Sequence, residues 1–111
     1  MDKKAKTIGR GKGFEYRVRD WFRRAGYEAN RVPVSGASPA MKGDVVVKLG
    51  DGNTMFLECK FRTGGYKELF RWLKESEEKG VVGVVVGVGR TKPVVVMGID
   101  RFIELVKKGD K

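Results

Sequence analysis

With 111 residues the chain has room for one domain and one core, and such a chain buries roughly two-thirds of its unfolded surface. Lys and Arg number 24 against 14 Asp and Glu, a formal net charge of +10 that favours a polyanionic partner. The absence of histidine excludes Ser-His-Asp and Cys-His catalysis, and the single Cys59 excludes an internal disulfide and structural zinc, so carboxylate-bound metal is what remains for hydrolysis.

The opening, MDKKAKTIGRGKG, lacks the apolar core of a secretory signal, and no run of about twenty apolar residues offers a membrane span. One unpaired cysteine fits a reducing cytoplasm, the host's if the chain is viral. Residues 1–9 read as a flexible basic arm, extended by Arg10 and Lys12, which either touches DNA backbone or is simply solvated. Gly9 to Gly13 resembles a phosphate loop only at a glance: no strand precedes it and the Gly-Lys-Ser/Thr ending is missing, so no nucleotide cofactor is expected.

From Phe14 to Ala25, Phe14, Val18, Trp21, Phe22 and Ala25 recur at helical spacing and form one apolar stripe, closed by Gly26. Glu15 borders the stripe, either as a solvated flank residue or as a group held towards an internal site. Arg17, Arg19, Arg23 and Arg24 lie off it, and Tyr16 lies almost opposite, free to stack on a partner or to stay exposed. Tyr27 to Val32 predicts a strand. The small, turn-rich stretch from Pro33 to Gly43 predicts a loop, a place for substrate contacts or a plain connector.

Gly43 to Lys60 reads as a strand hairpin. Val45, Val46 and Val47 are β-branched, Gly50-Asp51-Gly52-Asn53 is turn-rich, and Met55 to Phe61 continues apolar. Asp44 heads the first strand. Glu58 and Lys60, placed in the second, point the same way while Cys59 points the other. One use for that pair is an ion pair on a solvent face. The other is chemical: carboxylates converging from neighbouring strands can hold Mg²⁺, and a lysine beside it can orient the attacking water.

Beyond the Gly64-Gly65 hinge, Tyr66, Leu69, Phe70 and Leu73 predict a second amphipathic helix to about Glu78, with Trp72 off its stripe as a partner surface or a surface residue. Val81 to Val88 predicts a strand buried on both faces, Val94 to Met97 a last strand, and Asp100 caps a final helix packing Phe102, Ile103, Leu105 and Val106. The order predicts a single α/β domain around a central mixed five-stranded sheet flanked by helices.

Four features together carry a resemblance over nearly the whole chain: G-x-x-x-E from Gly11 to Glu15, R-V-P-V-S-G from Arg31 to Gly36, G-D-V from Gly43 to Val45, and E-C-K from Glu58 to Lys60. The chain resembles the archaeal-type Holliday junction resolvases, within the restriction-endonuclease-like nucleases. The resemblance implies that fold and a Mg²⁺-dependent homodimer, with Mn²⁺ able to substitute, that hydrolyses phosphodiesters symmetrically in four-way DNA junctions. It implies an active site of Glu15, Asp44, Glu58, Lys60 and Ser35. Asp44, Glu58 and the Cys59 backbone carbonyl hold the metal, Glu15 serves a second metal or its water, Lys60 orients hydroxide, and Ser35 binds the scissile phosphate. Residue 43 is Gly where the general motif often has Pro, and Ser38 competes with Ser35. Arg10, Lys12, Arg62, Lys67 and Arg71 flank the site in sequence and are the expected phosphate contacts. Two other readings stay open: a nuclease of the same fold acting on flaps, nicks or duplex ends, and a non-catalytic DNA-binding module.

Overall fold

The computed structural model describes residues 3–33 and 43–110, with side chains described from residue 13 onward. The elements are α1 (Lys3–Arg24), β1 (Glu28–Arg31), β2 (Val45–Lys48), β3 (Thr54–Leu57), α2 (Lys67–Glu78), β4 (Val84–Val86), β5 (Val94–Val96) and α3 (Ile99–Gly109). The chain is α/β, with helices and strands in the order that periodicity predicts. It divides into two compact units, Met1–Phe61 with Lys108–Lys111, and Arg62–Lys107.

Helix α1 begins well before its apolar stripe, so the basic residues expected as a flexible arm are helical from Lys3. Lys, Ala and Arg are good helix formers and no proline interrupts them. Gly9, Gly11 and Gly13 each cost about 1 kcal/mol relative to alanine, so this first half depends on the packed second half. The helix ends in a Schellman cap. Gly26, at φ 98°, donates to the Phe22-turn carbonyl of Arg23 at 3.0 Å, and Tyr27 N–H donates to Phe22 O at 3.0 Å. The Tyr27 ring meets the Phe22 ring edge-on at 6.4 Å, the apolar contact that accompanies such caps.

In the first unit β2 is the central strand, antiparallel to β1 on one side and β3 on the other. The register pairs Ala29 with Val47 and Arg31 with Val45, then Val45 with Leu57 and Val47 with Met55. Directly opposed residues share a face, so Ala29, Arg31, Val45, Val47, Met55 and Leu57 line one side. Val45, Val47 and Ala29 are buried there, and among the described side chains of α1, which packs on β1 and β2, Val18 and Phe22 are buried. The stripe is narrower than expected. Trp21 is 41 % exposed, because it lies a full 100° step from Phe22 and falls at the rim of the packed arc. The β2–β3 turn follows expectation: Asn53 N–H donates to Asp51 Oδ1 at 2.9 Å, and Gly52 takes φ 92°.

The second unit departs further from expectation. Instead of one mixed five-stranded sheet, the described residues form two antiparallel sheets, of three strands and of two. In the second, β4 pairs with β5, Val85 opposite Val95. The valine run is not buried on both faces: Val81, Val82, Val85 and Val88 are exposed, as are Val94 and Val95. Glycines 80, 83, 87 and 89 divide the run, so only three residues pair. At Gly83 a Cβ would lie 2.5 Å from Val96 O, so the strands meet there through bare backbone. Leu73 of α2 and Ile103 of α3 are buried, whereas Phe70 and Leu105, expected to pack, are exposed.

Phe22 is the largest fully buried side chain, so Phe22→Ala should cost about 3–5 kcal/mol. Phe70→Ala should stay within about 0.5 kcal/mol. Urea unfolding checks both, and equal shifts in midpoint would overturn this account of the core.

Candidate active site

Asp44 is fixed by its neighbours before it does any chemistry. Gly43 has φ 76°, and a Cβ there would lie 2.8 Å from Leu57 O. Proline, locked at negative φ, cannot take that conformation. Asp44 N–H donates to Leu57 O at 2.8 Å, and Asp44 O accepts from Val32 N–H at 2.9 Å. The carboxylate then accepts at Oδ2 from Cys59 N–H at 2.7 Å, across fifteen residues. Oδ1 has no partner among the described residues.

That side-chain bond explains a difference from expectation. Glu58, Cys59 and Lys60 do not lie in β3, which ends at Leu57. The Asp44 carboxylate takes the Cys59 N–H that a longer ladder would have paired with backbone. Lys60 Nζ lies 3.4 Å from Glu58 Oε2, both side chains mostly in solvent. They share a side as expected, and the open pair adds little stability.

Cys59 is half-buried, and its thiol is pushed up to about 11. Burial is the largest cause; the charges of Asp44, Glu15 and Glu58 follow in that order. The three carboxylates named from sequence therefore all act on one thiol. Among the described residues, no three ligating side chains approach closely enough to hold one ion.

Glu15 is engaged within the unit. Its Oε1 accepts from Arg31 Nε at 2.9 Å, and both side chains are largely covered. Arg31 shares the helix-facing side of β1 with Ala29, which is how it reaches across to α1. It also donates to Tyr16 Oη at 3.2 Å, with its guanidinium 4.9 Å from the centre of that ring. These bonds, Glu15 first, raise the Arg31 pKa beyond its ordinary value. Arg31 is the residue that sequence reasoning missed. The available signal was its register: an arginine two positions from Ala29 faces the same way.

The donors suit a hard cation. Asp44 Oδ1, the Glu58 carboxylate and the Cys59 carbonyl are oxygen donors of the kind Mg²⁺ takes. Ser35 and the competing Ser38 lie outside the described residues. Arg10 and Lys12 belong to α1, but their side chains are likewise outside the description. Arg62, Lys67 and Arg71 are exposed in the second unit. Arg71 is held by Glu68 and by Glu75, the latter at 3.0 Å, so a phosphate must compete for it.

Among the described residues, no helix is long and apolar enough to cross a membrane. Compared with known proteins, the chain matches no family model, no curated protein and no solved structure.

The Cys59 thiol gives a pH prediction. Unfolded, it titrates near 9.0; folded, near 11. Between these values the unfolded chain has lost a proton that the folded chain keeps, so this group's contribution is present below pH 9 and is lost as pH rises towards 11. Iodoacetamide modification should accelerate with a midpoint near 11 in the folded chain, and Asp44→Asn should lower that midpoint. A folded-state midpoint at the ordinary cysteine value would overturn the burial of the thiol, and an unchanged midpoint in Asp44→Asn would overturn the contribution of that carboxylate.

Proposed function

We propose that the chain is a metal-dependent endodeoxyribonuclease that resolves four-way DNA junctions by symmetric phosphodiester hydrolysis. The fold that goes with this reading is restriction-endonuclease-like, the partner is branched DNA, and the working form is a homodimer inside the cell. The observation that carries it is the Asp44 Oδ2 to Cys59 N–H bond of 2.7 Å, which draws the G-D-V and E-C-K segments together.

Asp44 Oδ1, the Glu58 carboxylate and the Cys59 carbonyl would hold Mg²⁺, with Mn²⁺ able to substitute, and Glu15 would serve a second ion or its water. When bound, the metal supplies an acidified water and neutralises charge on the phosphate. The protein's own part is positional. Arg31 holds Glu15 towards the sheet, Gly43 lets the chain turn so that Asp44 meets Cys59, and Lys60 orients the attacking oxygen through Nζ. Ser35 would bind the scissile phosphate. A net charge of +10 supports a polyanionic substrate. Two matched cuts require two sites a fixed distance apart, hence a two-fold assembly. The exposed Phe70, Trp72, Val94 and Val95 of the second unit supply apolar surface that a self-complementary interface would use.

Cleavage of a synthetic four-way junction should exceed that of linear duplex and should require Mg²⁺. Asp44→Asn and Glu58→Gln should abolish cutting while leaving junction binding equal or tighter, because negative charge beside the phosphates is removed. Near wild-type cutting by either variant would show the site to be misassigned. Equal cutting of duplex ends or flaps would favour another nuclease of the same fold.

Binding should weaken with salt by a log-log slope of about −0.9 per neutralised phosphate. Sedimentation at micromolar concentration should give a dimer. A monomer that does not pair on a junction would replace the resolvase reading with a nickase or an end-acting nuclease.

A further inference from the structure

The outer flank of α1 carries a stripe that the proposed chemistry does not use. Phe14, Arg17, Trp21 and Arg24 follow at intervals of three, four and three residues, so they lie along one line of the helix. Phe61, just past β3, joins them: its ring centre is 5.5 Å from that of Phe14, the planes tilted by 37°. The Arg17 guanidinium lies 5.4 Å from the Phe14 ring centre and 5.6 Å from that of Phe61. Arg24 lies 4.8 Å from the centre of the Trp21 ring. All of these residues belong to the first unit.

This is an unusual surface to leave in water. Trp21 and Phe61 are 41 % and 40 % exposed. Neither Arg17 nor Arg24 forms a salt bridge with a carboxylate among the described residues. The neighbouring flank behaves differently. There Tyr16 lies beneath Arg19 and Arg31, but Arg19 is paired with Asp20 and Arg31 with Glu15, so those charges are already answered. Among the described residues, the guanidiniums along the Phe14–Arg24 line are held by ring faces and by no carboxylate. Cation–π contact of this kind orients an arginine without neutralising it.

We propose that this stripe binds unpaired DNA, with bases stacking on Trp21 and on the Phe14–Phe61 pair while Arg17 and Arg24 take the phosphates between them. Base-on-ring stacking and a cationic track are the two components of single-strand binding, and here they alternate along one helix. Seven residues separate Phe14 from Trp21, an axial distance of about 10 Å, so the two platforms serve different bases with Arg17 between them. The overall charge of +10 argues for a polyanion. An acidic peptide would satisfy the guanidiniums but offers no row of π-faces for the rings. The inference does not rest on catalysis, since none of the five residues is a proposed catalytic or metal-holding residue.

The test is run in EDTA with oligothymidylate as the probe, using a Trp72→Phe chain so that Trp21 is the sole tryptophan. Saturating oligothymidylate should quench Trp21 fluorescence, and an equal concentration of fully paired duplex should quench it far less. Trp21→Ala in the wild-type chain should weaken oligothymidylate binding by about 5- to 160-fold, the range for loss of one stacked base, with duplex affinity almost unchanged. Arg24→Gln, which keeps the ring and removes the charge, should weaken it and flatten its salt dependence. Should Trp21→Ala fail to fold, the quenching measurement and Arg24→Gln still decide the matter. An unquenched Trp21 at saturation, or equal losses on single strand and duplex, would overturn the proposal. Quenching that persists in a chain unable to cut any DNA with Mg²⁺ would sustain this site and dismiss the nuclease reading.

Discussion

The structure of the first unit depends on Asp44 being bonded three ways at once. Its N–H and C=O tie β2 to the end of β3 and to the residue after β1, and its carboxylate reaches onward to Cys59 N–H. A carboxylate accepting a backbone N–H makes a charge-assisted bond, stronger than the neutral ladder bond it replaces. That one exchange ends the strand and lets Glu58, Cys59 and Lys60 leave it beside the acid. Gly43 is the enabling residue, since any side chain there would collide with Leu57 O.

The charges near Cys59 are distributed rather than pooled. Glu15 is held by Arg31, Glu58 by Lys60, and Asp44 by a backbone donor. These partners differ in character. The Arg31–Glu15 pair is largely covered and anchored in the sheet register, so it orients Glu15. The Lys60–Glu58 pair is open to solvent and easily exchanged. The Cys59 thiol is raised first by burial and then by the charges of Asp44, Glu15 and Glu58.

The second unit solves a different problem with a poorer core. Its two-stranded sheet is built almost wholly from valine, yet much of that valine faces outward. A two-stranded ribbon is marginal unless something packs on it, and α2 covers it only in part. The surfaces of the two units differ in character, cationic and aromatic along α1 in the first, apolar along β4 and β5 in the second.

Much of the architecture was legible in the sequence because it is written locally. Helical spacing of Val18 and Phe22, turn chemistry at Asp51 to Asn53, and glycine at the end of α1 each act within a few residues, and each appears where expected. The nomination of Asp44, Glu58 and Glu15 came from the sequence motifs, and among the described residues the bond that joins two of those motifs is Cys59 N–H to Asp44 Oδ2. Other features depended on which residue meets which across the fold. Nothing local says that Asp44 will take the Cys59 N–H, that Arg31 will cross from β1 to Glu15, or that Trp21 will fall at the rim of a packed arc. The valine run misled for the same reason: its composition states that it can be buried, but burial requires a layer packed on each face, which only the tertiary fold supplies, and β4 and β5 stay exposed although they pair.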